Sequence, residues 1–174
     1  LNIFNAAIAS TTGVGNDIVA IGSRYVGQGH MLSVMFGLPA AGLAMIHCAK
    51  DKNRNKVKAL IVAGIAASIL TGITEPLEFT FMFISPILFL FHVIVYGFGF
   101  MIMDLLGVAV GGVQAGLIDF TVFGLLRGMD TKWYLIIIVG IIIALVYYFG
   151  FRYIITKFNI MTPGREDDVE DEDG

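Results

Sequence analysis

The chain has 174 residues, of which 57% are hydrophobic and 14% charged, with a mean hydropathy of +0.83; this excludes a soluble globular domain and marks an all-α polytopic membrane protein. The net charge of -3 is misleading, because seven of the fourteen acids lie in the last nine residues; without residues 165–174, seven acids face ten Lys/Arg, a balance of +3. The lone Cys48 excludes an intrachain disulfide framework, and with no Walker-type glycine loop, zinc spacing or Gly-x-Ser-x-Gly elbow, no soluble enzyme, metal or cofactor is expected.

Residues 1–22 are small, apolar and glycine-bearing, with Asn5, Asn16 and Asp17 among them, and predict a helix packed against protein rather than lipid. Asp17 and Arg24 read as a local pair. No basic n-region or cleavage site precedes this stretch, so it is not a signal peptide, and the chain reads as a fragment of something longer. The segment Met31 to Ala49 is long enough to cross a membrane, but "FGLP" sets a flexible and a ring-locked residue side by side and predicts a broken helix. Between Lys50 and Lys58, "KDKNRNKVK" carries five of the eleven basic residues and one acid, which predicts a cytoplasmic loop and accounts for the basic cluster without nucleic acid.

The apolar run Ala59 to Leu70 has 12 residues, too few to span a core of about 30 Å at about 1.5 Å per residue, and predicts half a helix. It ends on "TGITEPLEF", where Glu75 and Glu78 sit in a membrane segment. A charge there costs about 2.5 to 3.5 kcal/mol on insertion scales, so each glutamate requires a partner or a wet cavity. Pro76 suits the first turn of a helix, so "GITE" is the turn and "PLEF" the start of the next helix, whose free N–H groups face the turn. A broken membrane helix with a carboxylate at the break is the layout of a transporter site. A neutral, hydroxyl-rich ligand suits it, because a carboxylate accepts from several O–H donors and Gly72 permits close backbone approach.

Phe79 to Met103 predicts a long aromatic segment interrupted by Pro86, and Leu105 to Leu126 another, weakened by "GGVQAG" and Asp119. Trp133 to Ile155 has the simplest span signature, with aromatic belts of Trp133 and Tyr134 at one end and Tyr147, Tyr148 and Tyr153 near the other. Arg152, Lys157 and Arg165 make the C-terminus cytoplasmic and leave "RGMDTK" outside. Between the two loops an odd number of crossings is required, so a re-entrant hairpin at "TGITEP" demands that a second segment also fail to span, and Gly111, Gly112 and Gly116 mark the weakest. The tail "NIMTPGREDDVEDEDG" has a Pro-Gly break and an acidic run, the composition of a solvated linker.

Glu75 is the first candidate for ligand binding, with Thr74, Ile73 and Gly72 beside it. Glu78 reads equally as a cap or lysine partner and as a binding carboxylate. His47 and Asp119 are secondary candidates, each with a structural alternative, an interface histidine and a helix-to-helix anchor. His92 reads as structural on an aromatic face, and the alternating Phe79, Phe81 and Phe83 as packed or lipid-facing.

"GITEPLEF", "MFGLPAAGLAM" followed by "IHCA", "GLIDFTVFG", "TKWY" and "KFNIMTPGRE" together resemble the C-terminal half of the membrane subunit, enzyme IIC, of the glucose superfamily of the bacterial phosphoenolpyruvate-dependent sugar phosphotransferase system. The resemblance implies a partial IIC transport domain with re-entrant hairpins over 1–160 and an acidic cytoplasmic linker over 161–174 leading to an EIIB domain. It also implies a multi-pass protein of the bacterial cytoplasmic membrane that translocates a sugar as it is phosphorylated, homodimeric at full length. Glu75 matches the motif glutamate that binds sugar hydroxyls. The phosphoryl donor is a phosphocysteine of EIIB, supplied through EIIA and the general phosphocarrier protein, and Cys48 lacks the Cys-x-Thr-Arg sequence of that donor. The chain is thus part of a protein-N(pi)-phosphohistidine–sugar phosphotransferase complex without carrying its catalytic cysteine, and glucose or maltose is favoured over N-acetylglucosamine. The rival reading is a secondary sugar transporter or ion-coupled channel that uses Glu75 as its coupling site.

Overall fold

The computed structural model describes residues 28–166. The N-terminal helix read over 1–22, with Asn5, Asn16, Asp17 and Arg24, lies outside the described residues, as does the acidic run from Asp167 onward. Among the described residues six α-helices follow one another: α1 (Gln28–Cys48), α2 (Asp51–Thr71), α3 (Glu75–Met82), α4 (Pro86–Leu105), α5 (Leu117–Phe123) and α6 (Trp133–Lys157). Three of them, α1, α4 and α6, are by length and composition apolar enough to cross a membrane. The fold is all-α, and no strand occurs among the described residues.

α1 does not break at "FGLP". It stays helical by widening into a π turn over Ser33–Gly37, in which the Leu38 N–H donates to the Ser33 carbonyl. Pro39 is the cause, since it has no N–H and its ring crowds the preceding turn. The Val34 carbonyl loses Leu38 to Ser33, and its next donor along the chain would be Pro39. The Ser68 hydroxyl of α2 donates to it instead at 2.6 Å, which satisfies a buried acceptor and ties α2 to α1 at the irregular turn.

The basic segment 50–58 is helix rather than loop. Lys, Arg and Ala are good helix formers, Asp51 suits an N-terminal turn, and Arg54 pairs with it at 2.8 Å on the surface. The run expected to be half a helix is therefore the apolar part of the 21-residue α2, whose first two turns carry the charge. α2 stops where Gly72 turns left-handed at φ 83° and its N–H donates to the Ser68 carbonyl. Three residues later the chain is helical again as α3, which buries Leu77 and Phe81. Ser85 then caps α4 by accepting from the Leu88 N–H, with Pro86 at the first helical position.

α4 buries Leu88, His92, Val95, Gly99 and Met103, and α6 buries Ile136, Val139, Gly140, Ile143, Tyr147, Phe151 and Ile155. Both stripes have three- and four-residue spacing, so each long helix turns one face to α1 and the rest outward. Tyr147 is fully buried instead of joining an aromatic belt, because its position in the stripe faces the π turn of α1. Phe79 and Phe83 are exposed on one face of α3, whereas Phe81 packs edge-on against Phe151 from the other.

Leu105 to Leu126 is not a membrane helix. Beyond α4 the chain runs irregularly to the short α5, with Gly107 and Ala115 at positive φ. Its base is held beside the start of α6, where the Ala109 N–H donates to the Thr131 carbonyl and Lys132 Nζ to the Leu106 carbonyl. At the other end of the bundle, the Lys50 N–H donates to the Gly164 carbonyl and Arg165 to the Cys48 and Ile160 carbonyls. Residues 161–165, read as the start of a solvated linker, are docked there, with Thr162 buried.

Candidate functional site at the meeting of two hairpin tips

Two turns meet head to head. The first is Gly72–Thr74, between α2 and α3; the second is the loop 113–116 before α5. A Cβ on Gly72 would lie 1.9 Å from the Gln114 carbonyl oxygen, and one on Gly116 would lie 2.7 Å from the Gly72 nitrogen. The space left by the missing side chain at Gly72 is therefore filled by the second loop rather than by open solvent.

Asp119 sets the shape of that second loop. Its Oδ2 accepts from the backbone N–H groups of Val113, Gln114 and Ala115 at 2.6, 2.7 and 2.9 Å. Three donors on one ionised oxygen form an anion nest, which holds Ala115 at φ 61° despite its side chain. Asp119 thus fixes a loop within its own hairpin instead of bridging helices. Removing the carboxylate with Asp119→Ala is expected to destabilise the protein by about 3 kcal/mol, since bonds to a charged acceptor are worth about 1.5 to 3 kcal/mol each and do not add fully. Asp119→Asn, which retains one carbonyl acceptor, should recover part of this loss in thermal unfolding.

On the first turn, Thr74 is buried, Ile73 is about half exposed at 47%, and Glu75 is exposed. The Thr74 carbonyl accepts from the Leu77 and Glu78 N–H groups and so begins α3. Glu75 and Glu78 are one turn apart but face different surroundings. Glu75 projects outward from the helix start, where the dipole favours an anion. Glu78 is three-quarters covered, with its Oε1 3.9 Å from His92 Nε2 on α4.

An outward carboxylate beside an exposed Ile73, on a turn braced by a second loop, offers acceptors and an apolar patch on a fixed frame, which suits a hydroxylated ligand. The structure thus brings together Gly72, Ile73, Thr74, Glu75, Glu78 and the loop held by Asp119. His47 is not among them: it lies just before α2 begins, whereas Gly72 follows its end, about 30 Å away along the helix. There its Nδ1 bonds the Tyr148 hydroxyl at 2.8 Å, which also accepts from Arg152. Sequence reasoning missed Gln114 and Ala115 as parts of the junction, because "GGVQAG" signals only a weak helix. It also missed the contact of His92 with Glu78, for which pattern gives no sign across 14 residues and two helices.

The family model described as "Phosphotransferase system, EIIC" matches residues 2–97. The chain is 45% identical over 169 residues, 97% of its length, to the maltose-specific EIICB component of the PTS system of Escherichia coli K12, of which it covers 32%. It is 48% identical over 141 residues, 80% of its length, to the glucose-specific EIICBA component of Staphylococcus saprophyticus, of which it covers 21%. The corresponding component of Staphylococcus carnosus gives the same identity and coverage. The chain spans between about a fifth and a third of these curated relatives.

Proposed function

The chain belongs to the phosphotransferase system EIIC family, and we propose that it forms the sugar-holding part of a permease that binds a hexose or glucoside, glucose or maltose first, and releases it inward as a phosphate ester. The observation that carries this reading is the exposed Glu75 at the break between α2 and α3, on a turn braced by a second hairpin tip. Glu75 accepts from sugar hydroxyls, the Thr74 and Ile73 backbone lies alongside, and Gly72 keeps the turn tight enough to present them.

Phosphorylation follows at the sugar 6-hydroxyl. The hydroxyl oxygen bonds to phosphorus as the S–P bond of an EIIB phosphocysteine breaks and the thiolate leaves, and the carboxylate of Glu75, bonded to that hydroxyl, takes up its proton. EIIB is the immediate partner, and its fusion to EIIC in the relatives named EIICB and EIICBA supports this. EIIA and the general phosphocarrier protein stand behind it. Residues 1–160 belong to the transport domain and 161–174 lead towards EIIB, with a homodimer as the assembled form. The protein sits in the cytoplasmic membrane, with the basic start of α2 and residues 159–166 on the cytoplasmic side. Support for this orientation comes from their shared end of the bundle and from the five basic residues between 50 and 58.

The test is energetic coupling. In membrane vesicles carrying the full-length parent protein, uptake of labelled glucose or maltose is expected to require phosphoenolpyruvate and the soluble phosphocarriers, to yield sugar phosphate inside, and to survive an uncoupler. Uptake driven by an ion gradient, with free sugar inside, would establish the secondary-transporter reading instead.

A further inference from the structure

A buried polar chain crosses the bundle from the π turn of α1 to α3. The Tyr147 hydroxyl lies 2.9 Å from His92 Nδ1 and 3.4 Å from both Ser33 Oγ and the His92 carbonyl. On the far side of the same imidazole, Nε2 faces Glu78 Oε1 at 3.9 Å. With a neutral imidazole and an ionised Glu78, one proton arrangement leaves no acceptor facing an acceptor. Tyr147 donates to Nδ1, so Nε2 carries the hydrogen and directs it at the Glu78 carboxylate. The imidazole has little freedom to do otherwise, since it is 6% exposed and ringed by Phe81, Phe89 and Tyr96 with centroids 5.6 to 6.3 Å away.

Glu78 is therefore faced from behind by His92, yet its side chain is 26% exposed. That contact leaves acceptor capacity free, because an ionised carboxylate offers about four lone-pair sites. That capacity opens one helical turn from Glu75. We propose that His92, clamped through Nδ1 by Tyr147, is a positioning residue that fixes Glu78 as a second sugar-binding carboxylate, accepting a hydroxyl that Glu75 does not reach. At 3.9 Å the His92–Glu78 pair is a charge–dipole contact, longer than a hydrogen bond. A separate hydroxyl acceptor would let the site discriminate sugars by the number and placement of their hydroxyls.

The inference rests on the hairpin tip being the sugar site, so the test carries Glu75→Gln as an independent arm. Affinity for glucose and maltose is measured by titration calorimetry on the purified full-length parent protein. His92→Asn keeps an acceptor near the Nδ1 position and loses the Nε2 donor; His92→Gln keeps a donor near Nε2. His92→Asn is expected to weaken binding about tenfold and His92→Gln less than about threefold. In a Glu78→Gln background, His92→Asn should add nothing, which a general packing defect would not reproduce. If Glu75→Gln abolishes binding while His92→Asn leaves it unchanged, or weakens it equally with and without Glu78, the positioning role is overturned and the site reading stands. If Glu75→Gln binds normally, both are overturned. Should His92→Asn not fold, Tyr147→Phe, which removes one hydroxyl, enters the same cycle with the same criteria.

Discussion

Replacing Glu75 by Gln in the full-length parent protein is expected to weaken sugar binding about 100-fold and to reduce uptake, with a loss of stability of no more than about 1 kcal/mol. The magnitude follows from the chemistry. A carboxylate that accepts from two hydroxyls makes charge-assisted bonds worth about 1.5 to 3 kcal/mol each against water, and an amide oxygen recovers only part of that. About 2.7 kcal/mol corresponds to about 100-fold in Kd. The structural neutrality follows from position: Glu75 is exposed at the first turn of α3, whereas the backbone bonds that start the helix come from Thr74, Leu77 and Glu78. Only its favourable interaction with the helix dipole is lost, typically about 0.3 to 1 kcal/mol at an exposed site. If the chain served only to hold a larger complex together, the substitution would change neither quantity. Unaltered binding and uptake would therefore remove Glu75 from the site, and parallel loss of binding and stability would make it a scaffold residue.

The turn that carries this effect was legible in the sequence, and its surroundings were not. Pro76 after "GIT" predicts a helix start and Gly72 a turn; the turn occurs where expected and the helix begins one residue early, at Glu75, because each residue acts through its own backbone. The reading of "FGLP" failed for a related reason. A proline in a helix can break it or widen it, and the outcome was decided by Ser68, 29 residues away, which supplies the missing donor to Val34. Charge misled at 50–58, since a run of Lys and Asn gives the side of the membrane but does not distinguish a loop from the solvated first turns of α2. The role of Asp119 was hidden at short range: its three donors lie only four to six residues before it, but nest geometry depends on the glycine-rich backbone that pattern reading treats as mere weakness.

Gly72→Ala should be the most damaging single-methyl change at the junction. A side chain at φ 83° costs about 1 to 2 kcal/mol in the left-handed region. Steric conflict costs more, since the new Cβ would stand 1.9 Å from the Gln114 carbonyl oxygen and 2.6 Å from its carbon. Those are backbone atoms held by the three bonds to Asp119, so no rotamer change relieves the clash and the two tips must separate. The expected loss is more than about 3 kcal/mol, in line with overpacking of a rigid site combined with backbone strain. Gly97→Ala on α4 is the matched control: a Cβ there has nothing within 4 Å, and alanine favours the helix by about 0.8 to 1 kcal/mol. Thermal unfolding of the two variants should therefore move in opposite directions, and sugar binding should fall only for Gly72→Ala, because parting the tips displaces Glu75 from its frame. Equal stability of the two variants would mean that the hairpin tips do not meet as described. A destabilised Gly72→Ala protein that still bound sugar normally would separate the junction from the site, leaving Glu75 to act on α3 alone.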